Sequence, residues 1–194
     1  MKIGLLFGSF NPIHIGHLLI ATLMRENSGL DEVWLVVSPL NPFKINSDLA
    51  DENHRLEMVK IAVKDSDHLK LTAIEYNLSR PSYTHQTLKE LKSGFPNHIF
   101  SVIIGEDNVS KFSEWKESGW ILDNFEILVY NRSTPNKKEA INDTIKHPGL
   151  KTFTLPVFDI SSTEIRDRIK NNKAIRYFVP ETVEQYIRFH KLYS

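Results

Sequence analysis

The chain has 194 residues, enough for one domain that buries roughly 70% of its unfolded surface without covalent staples. Its 24 Lys and Arg balance 24 Asp and Glu, which argues against the broad basic face that holds tRNA or DNA, but not against a local anion pocket. With no cysteine, disulfides, thiolate metal sites and cysteine nucleophiles are excluded, and a reducing, cytoplasmic setting is expected.

In chain order, "KIGLLF" (2–7) reads as a buried strand. It is broken too soon by Gly8, Asn11 and Pro12 to be a signal-peptide core, and no apolar run reaches the roughly 20 residues of a membrane helix. An amphipathic helix is expected from His14 to Asn27, ending near Gly29, and then a second strand, "EVWLVVS" (32–38). Asp51 to Lys64 reads as helix, with Leu56, Val59, Ile61 and Val63 among its apolar positions. "KLTAIEY" (70–76) reads as strand and Thr84 to Leu91 as helix, followed by strands "HIFSVIIG" (98–105) and "FEILVYN" (125–131). Residues 131–149 are polar, carry two prolines and read as a surface excursion. A last short strand is expected at 151–155, then helices from about Ser162 and, behind Pro180, from about Glu181. Strands alternating with helices require crossover connections, hence a parallel sheet covered on both faces. The expectation is a doubly wound α/β fold in a single domain, 1–194, with a helical C-terminal part from about 160.

In such sheets ligands bind at the carboxyl ends of strands, where "GSFNPIHIGH" (8–17) leaves the first one. Gly8 permits a sharp turn and a close backbone approach. Asn11 and Pro12 read as cap and first residue of the following helix, whose free N–H groups suit an anion. His14 and His17, three apart, would project from one helical face and donate hydrogen bonds to phosphate oxygens, with Gly16 leaving room for the anion. Loss of one such donor typically costs about 10²–10³ in rate. No third ligand at a recognisable spacing supports zinc. In "ISSTEIR" (160–166), Ser161, Ser162 and Thr163 can cap a helix and Ser162 to Ile165 nearly spells a capping box; Arg166 lies one turn in. Two anion-binding helix starts suit a triphosphate held between them.

"GSFNPIHIGH" followed by "ISSTEIR" resembles the nucleotidyltransferase α/β-phosphodiesterase superfamily. "SRPSYTHQTL" (79–88) resembles the "R-x-G-x-SYT-x-DTL" segment of bacterial nicotinate-nucleotide adenylyltransferases, although Ser82 directly follows Pro81. "IIGEDNVSKFSEW" (103–115) is similar to their "IIG-x-D…W" segment and "PLNPFK" (39–44) to their "P…P-H-K" loop. The resemblance implies a Rossmann-like nucleotidyltransferase fold. It also implies transfer of AMP from ATP to the 5′-phosphate of nicotinic acid mononucleotide, releasing pyrophosphate, in NAD biosynthesis. By the same resemblance His14, His17, Lys44 and Arg166 are the catalytic set around the triphosphate, with His17 favouring the pentacoordinate transition state. Gly8, Ser9, Phe10, Asn11 and Gly16 would form the ATP loop, with added phosphate contacts from Ser161 and Ser162. Tyr83, Thr84, Gly105, Asp107 and Trp115 would bind the mononucleotide: Gly105 and Asp107 at the ribose, the Thr84 backbone near the pyridine carboxylate, Trp115 stacked on the ring. Mg²⁺ would arrive on ATP, held mainly by phosphates and water. Four positions depart from the family pattern: Asn11 for Asp, Phe43 for His, Gln86 for Asp, and Glu106 for a small residue. Asn11 still hydrogen-bonds, Phe43 removes a phosphate contact, and Gln86 and Glu106 bear on substrate choice.

Three other readings compete. A phosphopantetheine adenylyltransferase shares the glycine-histidine and "ISS" motifs, but the "SYT" and "IIG-x-D…W" segments and the length speak against it. A nicotinamide mononucleotide adenylyltransferase differs only by amide for carboxylate. A nucleotide-sensing binding protein on the same fold is the reading outside enzymes, against which stand both histidines and Arg166. The "HIGH" signature of aminoacyl-tRNA synthetases lacks here a "KMSKS"-like element and the length for tRNA-binding parts. The expected partners are ATP and nicotinic acid mononucleotide, without nucleic acid or membrane, and homo-oligomerisation is left open.

Overall fold

In the computed structural model, which describes residues 1–40, 49–131 and 147–194, β1 (Lys2–Gly8) occupies the centre of the sheet. After it come α1 (Ile15–Ser28), β2 (Glu32–Val37), α2 (Glu52–Val63), β3 (Leu69–Thr72), α3 (Thr84–Gly94) and β4 (Ile99–Gly105). The second half holds α4 (Glu106–Val109), α5 (Ser118–Asn124), β5 (Glu126–Asn131), β6 (Leu150–Thr154), α6 (Ser162–Lys170) and α7 (Glu181–Phe189). Six strands pair in parallel in the order β3-β2-β1-β4-β5-β6, the order of Rossmann sheets. The expected doubly wound α/β fold is therefore present.

Period-two alternation divides the core. In β1, Ile3 and Leu5 join Val36, Val102, Ile104, Ile127 and Val129 on one face, under Leu88 and Leu91 of α3 and Ile121 of α5. Leu6, Val33, Leu35, Val37 and Ile103 point the other way, against Ile20 and Met24 of α1, Met58 and Val59 of α2, Ile165 of α6 and Ile187 of α7. Strands buried on both faces read as near-continuous apolar runs, which is why they stand out in the sequence. Strand order reverses between β1 and β4, whose register pairs Leu5 with Val102 and Leu6 with Ile103. The crevice outside their carboxyl ends is the switch point, flanked by the 8–14 loop and by Gly105.

Some boundaries differ from expectation. The strand read at 70–76 stops at Thr72, and Ile74–Asn77 forms a 3₁₀ turn instead. The Thr72 hydroxyl accepts the Ile74 N–H at 3.4 Å, and the buried Glu75 is claimed by side chains outside the sheet. Nothing in the apolar alternation foretold α4, α5 or the 3₁₀ turn Phe112–Glu114, because all three are too short to show a period. Gly29 adopts φ 68° and its N–H returns to the Arg25 carbonyl, a left-handed close to α1 that fits the expected stop. Of the excursion read at 131–149, residues 132–146 lie outside those described. Among the described residues no helix is long and apolar enough to cross a membrane.

Candidate active site

The loop leaving β1 is built around its aromatic rings. Phe10 is buried with φ 45°, and a Cβ on Gly8 would lie 2.8 Å from its ring, so glycine lets that ring fold back. The Phe10 ring meets His17 edge-on, with centroids 5.0 Å apart at 78°. His14, extended at φ −146° and ψ 169°, is the N-cap of α1, and its ring stacks on His17 at 3.7 Å and 26°. The His14 N–H donates to His17 Nδ1 at 3.3 Å. An accepting Nδ1 puts the proton of the neutral His17 ring on Nε2, which makes that edge a hydrogen-bond donor. Both histidines thus face one side, as their spacing implied.

One expectation for this loop is corrected. Asn11 and Pro12 are not cap and first helical residue; α1 begins at Ile15, whose N–H is held by the Phe178 carbonyl at 2.9 Å. Asn11 is occupied elsewhere: its Oδ1 accepts the Ala50 N–H at 3.0 Å and the Tyr193 hydroxyl at 2.9 Å. At Gly16 the room left by the missing side chain is taken up by a histidine: a Cβ there would stand 3.0 Å from His14 Nδ1.

The second anion-binding helix start meets the first. Ser161, rather than Ser162, caps α6, its Oγ accepting the Glu164 N–H at 3.1 Å. This frees Ser162 to donate its hydroxyl to the Pro12 carbonyl at 2.9 Å. Arg166 donates from Nη1 to the Asn11 carbonyl at 2.8 Å and from Nη2 to Thr163 Oγ1 at 3.3 Å. His14, His17, Ser161, Ser162 and Arg166 are therefore gathered about one loop, although Ser162 lies 150 positions from its partner Pro12. Lys44 and Phe43 lie outside the described residues. The buried Ser9 hydroxyl has no hydrogen-bond partner among the described residues, an open donor beside the loop.

Beside the loop, at the β1 and β4 ends, opens a cavity of about 300 Å³. Its walls include Tyr83, Thr84, Gly105 and Trp115, four of the residues assigned to the mononucleotide, together with Ser38, Glu75, Ser82, Asn108, Lys111, Glu114 and Lys116, to which no motif assigned a role. Asp107 does not line it. Because α4 starts directly after β4, Asp107 is exposed in its first turn, with Oδ1 over Gly105 where a Cβ would collide. Trp115 packs on Phe112, ring centroids 5.0 Å apart. Lys116 Nζ sits 4.8 Å above the Tyr83 ring, a cation–π contact at the cavity wall. At 1% exposure, the Glu75 carboxylate accepts the Ser82 hydroxyl at 2.6 Å and the Thr87 hydroxyl at 2.8 Å. It brackets the turn that leads from Ser82 to Thr84.

Arg55 was missed as well. At 1% exposure, its guanidinium donates to four carbonyls: Ala50 at 3.0 Å, Ser9 at 2.7 Å, Ser38 at 2.8 Å and Pro39 at 2.6 Å. It fastens the segments after β1 and β2 to each other. Its signal was available: Arg55 shares the stripe of Met58 and Val59 at helical spacing, so a cation stood on an apolar face. On α3, burial lowers the pKa of His85, and Glu117 Oε1, 3.6 Å from Nε2, opposes that only in part.

The cytidylyltransferase-like family matches residues 5–168. A protein of Flavobacterium psychrophilum named "Probable nicotinate-nucleotide adenylyltransferase" is 46% identical over 194 residues, covering 100% of both chains. One of the same name from Cytophaga hutchinsonii is 44% identical over 195 residues, with 100% of this chain and 99% of the relative covered. Among solved structures, the nicotinic acid mononucleotide adenylyltransferase of Plasmodium falciparum complexed with NaAD superposes with a TM-score of 0.80 at 21% identity. That match covers 99% of this chain and 97% of the other.

Proposed function

The chain belongs to the cytidylyltransferase-like family and, within it, to the nicotinate-nucleotide adenylyltransferases; from that membership we infer that it transfers AMP from ATP to nicotinic acid mononucleotide, forming nicotinic acid adenine dinucleotide and pyrophosphate in NAD biosynthesis. The observation that carries the reading is the meeting of the α1 and α6 starts over residues 11–14, beside a cavity large enough for a pyridine ring.

The mononucleotide's 5′-phosphate oxygen attacks the α-phosphorus of ATP in line; the new P–O bond forms as the bond to the β-phosphate bridging oxygen breaks. A phosphate nucleophile at neutral pH needs no base, so the protein's task is positioning and charge stabilisation. His17 Nε2–H donates to the phosphate where charge develops, backed by the stacked His14. Arg166, the Ser161 and Ser9 hydroxyls and the free N–H groups at the start of α6, that of Ser162 among them, hold the remaining oxygens, with Lys44 added from the 41–48 segment. Gly8, Phe10, Asn11 and Gly16 shape the loop. Thr84 presents its backbone to the pyridine carboxylate and Trp115 stacks on the ring, with Tyr83 and Gly105 completing the cavity wall. Asp107 stays a candidate for the ribose from outside the cavity. Lys111 and Lys116 at that wall are balanced by Glu75 and Glu114, so the choice of carboxylate over amide is inferred from the family and not from the charge of the wall.

Mg²⁺ enters as the ATP complex. The donor set at the loop, made of imidazole, hydroxyl, N–H and guanidinium groups, suits phosphate oxygens rather than a cation, so the metal is held by phosphates and water. The setting proposed is the cytoplasm, in one domain spanning 1–194. The test is an assay of ATP with nicotinic acid mononucleotide, nicotinamide mononucleotide and phosphopantetheine in parallel, following pyrophosphate. Turnover is expected with the first at least tenfold above the others; equal turnover with the amide would overturn the substrate assignment.

A further inference from the structure

Tyr193 lies beyond α7 in the chain yet reaches the phosphate loop. Two residues in the left-handed region, Lys191 at φ 51° and Tyr193 at φ 66°, curl the chain back after α7, a conformation L side chains rarely adopt unaided. The curl is fixed by the Lys191 N–H on the Arg188 carbonyl at 3.2 Å and the Leu192 N–H on the Ile187 carbonyl at 3.0 Å. Leu192 and the Tyr193 ring then pack against the core beneath α1, α2 and α7. The Tyr193 hydroxyl ends 2.9 Å from Asn11 Oδ1, which also takes the Ala50 N–H at 3.0 Å. Burial pushes the phenol pKa far above its ordinary range, with Arg55 and Arg166 nearby opposing only part of that, so the group remains a donor.

Asn11 is thus held at three places: Oδ1 by Tyr193 and Ala50, and its carbonyl by Arg166. It stands three residues before His14, the cap whose N–H orients His17. We propose that Tyr193 is a positioning residue for ATP, setting through Asn11 the loop that carries the two histidines. The cavity beside Thr84 and Trp115 has no share in this contact, so the effect belongs to one substrate. The proposal rests on the assignment of residues 8–17 to the ATP phosphates.

The test measures equilibrium binding of ATP and, separately, of nicotinic acid mononucleotide to the full chain, with Tyr193→Phe, Asn11→Ala and the double variant. Losing one neutral hydrogen bond should weaken ATP binding about fivefold in Tyr193→Phe. Mononucleotide binding should be unchanged, and Tm should fall by less than about 4 °C. In the Asn11→Ala background the tyrosine change should add nothing, because both act through one contact. Unaltered ATP binding in Tyr193→Phe, equal weakening for both ligands, or additive losses in the double variant would each overturn the proposal. Failure of the function itself reads differently: the wild-type chain would bind ATP yet form no dinucleotide.

Discussion

His17 is where one atom decides most. Its Nδ1 is occupied by the His14 N–H, so Nε2–H is the donor that a developing phosphate charge meets. Removing it with His17→Ala should leave the far-UV circular dichroism unchanged and lower kcat by about 10²–10³; full turnover in a folded variant would contradict this role. Arg55 makes the opposite kind of residue, one that holds rather than reacts. Arg55→Met leaves four carbonyls, three of them fully buried, without their donor. Urea unfolding should then show a loss of about 3 kcal/mol or more, against a few tenths for a surface arginine. The histidines, the serines and Arg166 were readable in the sequence because their chemistry is in their side chains and their spacing is local. Tyr193 was not, since its partner is 182 positions away and nothing local marks that contact. Asp107 was assigned to the ribose from its motif; the immediate start of α4 leaves it exposed outside the cavity wall, with its carboxylate over Gly105.

Elements show the same division. The helix expected from His14 starts one residue later, at Ile15, but its cap was misassigned because Asn-Pro looks like a helix entry; the Asn11 side chain is instead drawn to Ala50 and Tyr193, and His14 takes the cap. The 3₁₀ turn Ile74–Asn77 was mistaken for the end of a strand, since "AIEY" continues the apolar run. A lone acid inside that run was the only hint, and Glu75 proves to be the bracket between this turn and α3. Glu75→Ala would free the Ser82 and Thr87 hydroxyls and loosen the turn carrying Thr84. The KM for nicotinic acid mononucleotide should rise about tenfold while the KM for ATP holds, as two lost hydrogen bonds at one subsite imply. A matched rise in both constants would show that Glu75 serves the whole fold instead.

Across the molecule, the sheet was the most legible level, because strands buried on both faces cannot hide their apolar runs. Alternation with helices implied the parallel, doubly wound sheet but not its strand order; the observed order sets the switch point and places the loop after β1 beside Gly105. Global stability carries one pH signature of its own. His85 has its pKa lowered in the fold, chiefly by burial, from an ordinary 6.5. The unfolded chain therefore binds this proton first. The stabilisation from keeping His85 neutral is whole above about pH 6.5 and is lost as pH falls through the folded value. Tm of the wild type should drop more steeply below that pH than Tm of His85→Gln; parallel curves would remove His85 from the account.

The central claim is the transfer of AMP to a mononucleotide phosphate at the α-phosphorus of ATP, and isotope placement tests it most directly. Wild-type protein is incubated with Mg²⁺, nicotinic acid mononucleotide and ATP labelled at either the α- or the γ-phosphate. The account predicts α-label in a dinucleotide and γ-label in pyrophosphate, in equal amounts. Label from the γ-phosphate on the pyridine product, or ADP released in place of pyrophosphate, would contradict it.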